Sequence, residues 1–271
     1  MSHFICPVCR TGLLKTEKTY VCENRHSFDI AKQGYVNLLL SSGKGKTHGD
    51  DREMISSRED FLNRGFYDEL SREVSRLAEK YCPDGGVVLD AGCGECKYTC
   101  DARKFLKASG KRADLIGVDI SKEALRYAAR RTREIELAVA SVADIPVADG
   151  SVDVMINIFA PFEAAEFSRV LKKGGAIIRV YPLEKHLWEL KELVYETPYE
   201  NPVSDMAEAG FEIAEQLSVR YMMEFKSNED ILSLFKMTPY YYRTSENDRR
   251  KLDSAESLSC RAEFGITVYK K

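Results

Sequence analysis

Four side chains near the start of the chain have the types and spacing of a metal site. Cys6 and Cys9 form a C-x2-C pair, twelve residues follow, and Cys22 and His26 form C-x3-H. Two tight knuckles of this kind can close a tetrahedron of three thiolates and one imidazole around zinc, leaving no open position for water. The expected role is therefore structural, the metal standing in for a core that so few apolar residues cannot build. The chain has eight cysteines. Its start lacks the regions of a secretory leader, so the thiols are expected to stay reduced in a cytoplasmic setting, and a metal site is favoured over a disulfide framework.

A second group has the spacing of a nucleotide-type site. In VVLDAGCGECKYT, a β-branched run ends at Asp90, glycines stand at 92 and 94, and a helix-compatible segment starts near Lys97. A strand, a tight turn and a helix start in this order let a ligand approach bare backbone. Asp119 ends the next apolar run, ADLIGVDI, twenty-five residues after Gly94. An acid there can accept hydrogen bonds from both hydroxyls of a ribose. A dinucleotide fingerprint would place a third glycine at 97, where this chain has Lys97, so dinucleotide binding is disfavoured. Cys93, Cys96 and Cys100 could also be read as iron–sulfur ligands. Cys93 lies inside the glycine turn, however, and small buried cysteines are ordinary core residues, so the three are read as incidental. Cys96 is tolerated in the loop if its backbone avoids positive φ.

These residues need elements to hold them. Two helical patterns, REMISSREDFLNRG and FYDELSREVSRLAEKYC, lead into the main domain, the second with Leu70, Val74, Leu77 and Ala78 on one face. After the strand at 87 and the helix near 97 come ADLIGVDI (strand), SKEALRYAARR (helix), IELAVA and VDVMINIF (strands), EAAEFSRVL (helix) and GGAIIRVYP (strand). Such alternation predicts an α/β fold with a doubly wound, mostly parallel sheet. The expected division is a zinc-binding module at 1–40, a linker and helices at 41–83, and the sheet domain at 84–271. Within the second part, SSGKGKTHGDD at 41–51 reads as a linker. No run of eighteen apolar residues is present, so no membrane partner is expected.

Charge divides unevenly along the chain. Residues 1 to 48 carry seven Lys/Arg against three acids, a net +4, and the rest carries −7 within a total of −3. A basic, metal-stapled module with exposed aromatics suits contact with a polyanion, with Lys15, Lys18 and Arg25 as candidate phosphate contacts, although a plain solvated surface reads equally well from charge alone.

The order VLDAGCG, GVDIS, ADIPVADGSVDVM and LKKGGAIIRV resembles the class I S-adenosylmethionine-dependent methyltransferases. The resemblance implies that Asp90, Gly92, Gly94 and Glu95 line the methionine end of the cofactor, Asp119 the ribose and Val142 the adenine, with Asn157 facing the reaction centre. Ser141 stands where many such enzymes have an acid. With FICPVCRTGL, CENRHSFDIAKQGYVNLLL, FLNRGFY, FAPFEAAEFSRVLKKGG, HLWELKELVY and FKMTPYYYR added, nearly the whole chain is similar to the zinc-bearing 23S ribosomal RNA guanine-N1 methyltransferases. That resemblance implies methyl transfer from S-adenosylmethionine to N1 of a guanine in a hairpin of domain II, one structural zinc per chain, and Tyr67 and His186 as further cofactor residues. The expected partners are the ribosomal RNA hairpin and, as an assembly open to such a chain, a second copy in a homodimer. Related loops often read GCGEG, with glycine in place of Cys96. No general base is assigned: Glu163 follows FAPF near the expected methyl position but also reads as a solvated helix start. Phe159, Phe162 and Tyr240, Tyr241 and Tyr242 are candidates to stack on an extruded base. Two alternatives stay open, a methyltransferase acting on a small molecule or protein and a non-catalytic zinc-bearing RNA-binding protein. An intact Asp90, Gly92, Gly94 and Asp119 set speaks against the second.

Overall fold

The computed structural model describes residues 2–40, 51–203, 207–208 and 210–271. The linker expected at 41–51 lies outside them except for Asp51. Three short strands, β1 (Leu13–Lys15), β2 (Thr19–Cys22) and β3 (Ser27–Asp29), form an antiparallel sheet in which the knuckles sit. Next, β4 (Val36–Asn37) leaves this module and joins the large sheet, followed by α1 (Arg52–Asn63) and α2 (Asp68–Tyr81). Alternation begins with β5 (Gly86–Ala91), α3 (Lys97–Ala108), β6 (Ala113–Asp119), α4 (Lys122–Arg131), β7 (Glu136–Val139) and β8 (Val152–Ile158). It continues with α5 (Ala164–Val170), β9 (Leu171–Pro182), α6 (Trp188–Val194), β10 (Glu212–Phe225), α7 (Asn228–Lys236) and β11 (Leu258–Lys270).

The large sheet has the order β10-β11-β9-β8-β5-β6-β7-β4. Pairing is parallel from β9 through β8, β5, β6 and β7 to β4, and antiparallel where β11 enters between β9 and β10. β5 is central and buried throughout, as its continuous run GVVLDA requires of a strand covered on both faces. The stripe expected on α2 is realised, with Leu70, Val74, Leu77 and Ala78 all buried. Side-chain caps start several helices: Asp51 accepts the Met54 amide at α1, Ser121 the Ala124 amide at α4 and Ser227 the Asp230 amide at α7.

The zinc module does not stand apart from the sheet. Phe4 bridges to Val147, the Ile5 amide donates to the Pro146 carbonyl, and β4 pairs with β7 through Val36–Ala138 and Asn37–Val139. Phe4, Leu13 and Tyr20 pack in one apolar cluster with Val36, Val118, Ala138 and Val147. The aromatics expected on the module's surface are therefore largely core: Phe4 and Tyr20 are buried and Phe28 is half-buried. A short ribbon cannot bury aromatic rings within itself, so it uses them to dock on its neighbour.

Candidate functional site

At the knuckles, one ligand atom from each of Cys6, Cys9, Cys22 and His26 lies within 4.8 Å of all the others. The Cys9 and Cys22 sulfurs are 3.7 Å apart, and His26 Nδ1 is 3.5 Å from the Cys6 sulfur and 3.4 Å from that of Cys22. A regular tetrahedron with thiolates at about 2.3 Å and an imidazole at about 2.0 Å has edges of roughly 3.8 Å and 3.5 Å. The donor set thus has the type and the spacing for zinc. Thr11 Oγ1 lies 3.2 Å from the Cys9 sulfur. Hydrogen bonds from Thr11 and Asn24 hold that thiol down to about 5, which favours the thiolate a metal needs.

A cavity of about 520 Å³ opens where β5, β6 and β8 end, lined by Tyr67, Asp90, Gly92, Gly94, Glu95, Asp119 and Val142 among others. Strand ends at a switch in strand order are where α/β sheets bind ligands. Gly92 has φ of 89°, and a Cβ on it would lie 2.5 Å from the Ala160 Cβ, so only glycine fits between the β5 turn and the β8 loop. The Asp119 carboxylate is fixed by backbone: Oδ2 accepts the Gly94 amide at 2.9 Å and Oδ1 the Ser121 amide at 2.8 Å. The glycine loop and the acid at the end of β6 are thereby one rigid unit.

The cavity floor is acidic and its side chains are buried. Asp90 accepts the Thr99 hydroxyl at 2.5 Å, and burial, reinforced by the charges of Asp119 and Glu95, pushes its carboxyl up to about 7. Glu95 is only 3% exposed, is also raised by burial, and its Oε1 has no hydrogen-bond partner among the described residues. Glu95 feels the nearby Arg58 and Arg131 guanidinium groups, whereas no cation among the described residues acts on Asp90; a buried carboxylate of that kind is costly, and a ligand carrying a cation would relieve the cost. An ammonium and a sulfonium are the cations that S-adenosylmethionine supplies, so the residues present fit that cofactor.

Two models of protein families match the chain. One, described as "RlmA, N-terminal", covers residues 4–44, and one described as "Methyltransferase domain" covers residues 83–229. A protein of Micromonospora griseorubida, named as a candidate 23S rRNA (guanine-N(1)-)-methyltransferase, is 34% identical over 90% of this chain and 88% of its own length. The 23S rRNA (guanine(748)-N(1))-methyltransferase of Streptomyces fradiae is 35% identical over 68% of this chain and 65% of its own. The chain belongs to the 23S ribosomal RNA guanine-N1 methyltransferase family. Its fold is that of class I methyltransferases: a solved structure from Bacillus halodurans C-125, described as a candidate methyltransferase, aligns with 74% of this chain and 98% of its own at a TM-score of 0.50 and 18% identity.

Seven of the nine side chains or glycines that the family resemblance assigns to the cofactor line the cavity, and two stand behind it. Asn157 is buried with Nδ2 donating to the Ala91 and Pro161 carbonyls, both at 3.1 Å. It ties the end of β5 to the loop after β8, and its Oδ1 has no partner among the described residues. His186 is buried behind Tyr67. Its Nδ1 accepts the Glu263 amide at 3.1 Å, which places the ring proton on Nε2, 3.3 Å from the Tyr67 hydroxyl. Burial holds this imidazole down to about 3, so it stays neutral and donates to Tyr67.

Cys96 does not meet the condition of avoiding positive φ. It caps α3 with φ of 63° and ψ of 26°, in the left-handed region, and is fully buried. The turn forces this conformation whatever the side chain, and a non-glycine residue there bears about 1–2 kcal/mol of strain.

Among the stacking candidates, Phe159 lines the cavity, 48% exposed and with φ of 53°. Phe162 instead packs on Phe167, Phe211 and Tyr269 with the Arg179 guanidinium 4.5 Å above its ring. Tyr240 donates to Asn201, Tyr241 packs on Phe235, and Tyr242 donates to Asp51. Glu163 lines the cavity and does not cap its own helix. Sequence reasoning missed Met54, Arg58 and Leu62 on α1 and Met237, Thr238 and Pro239 after α7, which form the opposite wall. The motif FKMTPYYYR pointed to the right segment, but its Met-Thr-Pro part, not its tyrosines, faces the cavity. Lys15, Lys18 and Arg25 are exposed on the module. No helix among the described residues is long and apolar enough to cross a membrane.

Proposed function

We propose that the protein methylates N1 of a guanine in a hairpin of 23S ribosomal RNA, with S-adenosylmethionine as donor and one structural zinc. The observation that carries this reading is the pairing, in one chain, of a four-ligand knuckle with a strand-end cavity floored by the buried acids Asp90 and Glu95. Relatives that match over most of this chain and of their own length carry the name of this activity. The cofactor supplies an electrophilic methyl on a sulfonium. The protein's own residues do the rest. Asp119, held by two backbone amides, receives the ribose hydroxyls; Asp90 and Glu95 face the cationic end; Val142 and Ile120 flank the adenine. Tyr67, receiving the His186 proton at its oxygen, has its own hydroxyl proton left to donate. Asn157 fixes the loop that closes over the reaction centre. Phe159 at the rim is placed to stack on an extruded guanine, whose N1 is inaccessible while paired. As N1 gains the methyl it loses its proton, and we assign Glu163, which lines the cavity, as the group that receives it. The exposed Lys15, Lys18 and Arg25 contact the hairpin backbone.

The test is methyl transfer from labelled cofactor to a transcript of the domain II hairpin, with nucleoside mass spectrometry of the product. The expected product is 1-methylguanosine, and Glu163→Gln is expected to lower kcat by about 100-fold or more with little change in KM, as for loss of a proton acceptor. Label in a small molecule or protein but not in the RNA would refute the reading.

A further inference from the structure

A second concavity, of about 440 Å³, lies beside the first and is lined by Gln33, Arg52, Glu123, Arg126, Tyr127 and Arg130. It sits on the seam between the zinc module, which supplies Gln33 from the β3–β4 connection, and α1 and α4 of the sheet domain. Its three arginines are exposed. Arg126 pairs with Glu123 at 2.9 Å, one turn away on the same helix. Arg130 lays its guanidinium 4.1 Å over the Tyr127 ring, and among the described residues neither it nor Arg52 has a carboxylate partner. Stacking on a ring fixes the plane of a guanidinium while leaving its N–H edge free, which is the arrangement that binds a phosphate with two parallel hydrogen bonds.

Its position matters as much as its charge. α1 separates the two concavities, with Met54, Arg58 and Leu62 on the cavity and Arg52 on the groove. Ile55 of α1 packs on Ala124 and Tyr127 of α4. Arg52 and Met54 are two residues apart, about 3 Å along the helix axis. The cavity presents Asp90, Glu95, Asp119 and Glu163, which repel a nucleic-acid backbone, in a chain of net charge −3. A polynucleotide whose base enters that cavity therefore needs compensating charge close to its mouth.

We propose that this groove holds backbone phosphates of the RNA next to the target nucleotide, an inference that rests on the RNA-methylating function above. Arg52 and Arg130 supply the direct contacts, Arg126 exchanges its weak surface partner Glu123 for phosphate, and Gln33 adds a neutral donor. The test compares the zinc-loaded full-length protein with Arg52→Ala/Arg126→Ala/Arg130→Ala and with the triple lysine variant. Binding of the domain II hairpin transcript is followed by fluorescence anisotropy between 50 and 300 mM salt, alongside calorimetry of S-adenosylhomocysteine. The expected result for the alanine variant is Kd raised at least about tenfold and a slope of log K against log salt shallower by about 2, since each phosphate contact contributes about 0.7–0.9. The lysine variant should keep most of the slope, because counterion release follows charge, and cofactor binding should be unchanged in both. If the wild type binds and methylates the hairpin while the alanine variant shows the same Kd and slope, the groove is not an RNA contact. If the wild type neither binds nor methylates the hairpin, the functional reading falls and this inference with it.

Discussion

Asp90 should hold the folded protein below its attainable stability in exchange for cofactor binding, and Asp90→Asn separates the two. Folding raises this carboxyl from 3.8 to about 7, chiefly by burial. Between those values the folded state keeps a proton that the unfolded chain releases, so stability falls as pH rises through the window. At about 1.36 kcal/mol per tenfold change in proton affinity, the ceiling on the loss is roughly 4 kcal/mol above pH 7. Asparagine is nearly isosteric, carries no charge, and can still accept the Thr99 hydroxyl. The variant lacking cofactor is therefore expected to be more stable than the wild type by about 1–4 kcal/mol at pH 8 and about equal to it at pH 4. For a chain of this size the gain at pH 8 is several degrees in Tm. Neutral His186, whose pKa lies near 3, acts in the opposite sense, and zinc release at low pH lowers both proteins. The difference between the two proteins, not either curve alone, isolates Asp90. Calorimetry at pH 8 should show S-adenosylhomocysteine binding at least about tenfold weaker to the variant, the loss of a charge-assisted contact. A stability difference that is the same at pH 4 and pH 8, or a variant less stable at both, would show that Asp90 is not a strained buried acid.

Two further outcomes follow from the geometry. Removing the metal by chelation, or by Cys22→Ser, should loosen more than the ribbon: hydrogen exchange should rise at β4 and at the Ala138–Val139 edge of β7 as well as in residues 2–30, and a change confined to residues 2–30 would refute the shared core. Cys96→Gly removes left-handed strain but also a buried sulfur, so denaturant unfolding should shift by less than about 1 kcal/mol, whereas Cys96→Val should lose more than about 2 kcal/mol because a β-branched residue adopts that conformation poorly.

The strands that frame the cavity were legible in the sequence because each carries its own signal. β6 is a short apolar run that ends in Asp119, β5 and β8 carry Asp90 and Asn157 one residue before their ends, and the glycine turn and the Ser121 cap mark the breaks between strand and helix. Knuckle spacing likewise fixed the four ligands. What was not legible depends on partners distant in the chain. β4 is two residues long and enters the large sheet by pairing with β7, about a hundred residues later. β10 alternates charged and apolar residues along an edge, EIAEQLSVRYMMEF, and has no meaning until β11 pairs with it. The far wall of the cavity combines Arg58 with Met237, linked by a 3.5 Å hydrogen bond across 179 positions that no local pattern announces.

That wall makes α1 the element on which both surfaces depend. One side of it meets a cavity whose acids suit a cation, the other a groove whose arginines suit an anion, and Ile55 locks it to α4 between them. A cavity of acids alone would bind the methyl donor and repel its polyanionic acceptor. Setting exposed guanidinium groups across α1 brings the acceptor's phosphates to the mouth while solvent and salt screen those groups from the buried floor. Donor and acceptor can then be held together by charges of opposite sign that act at different depths of the same protein.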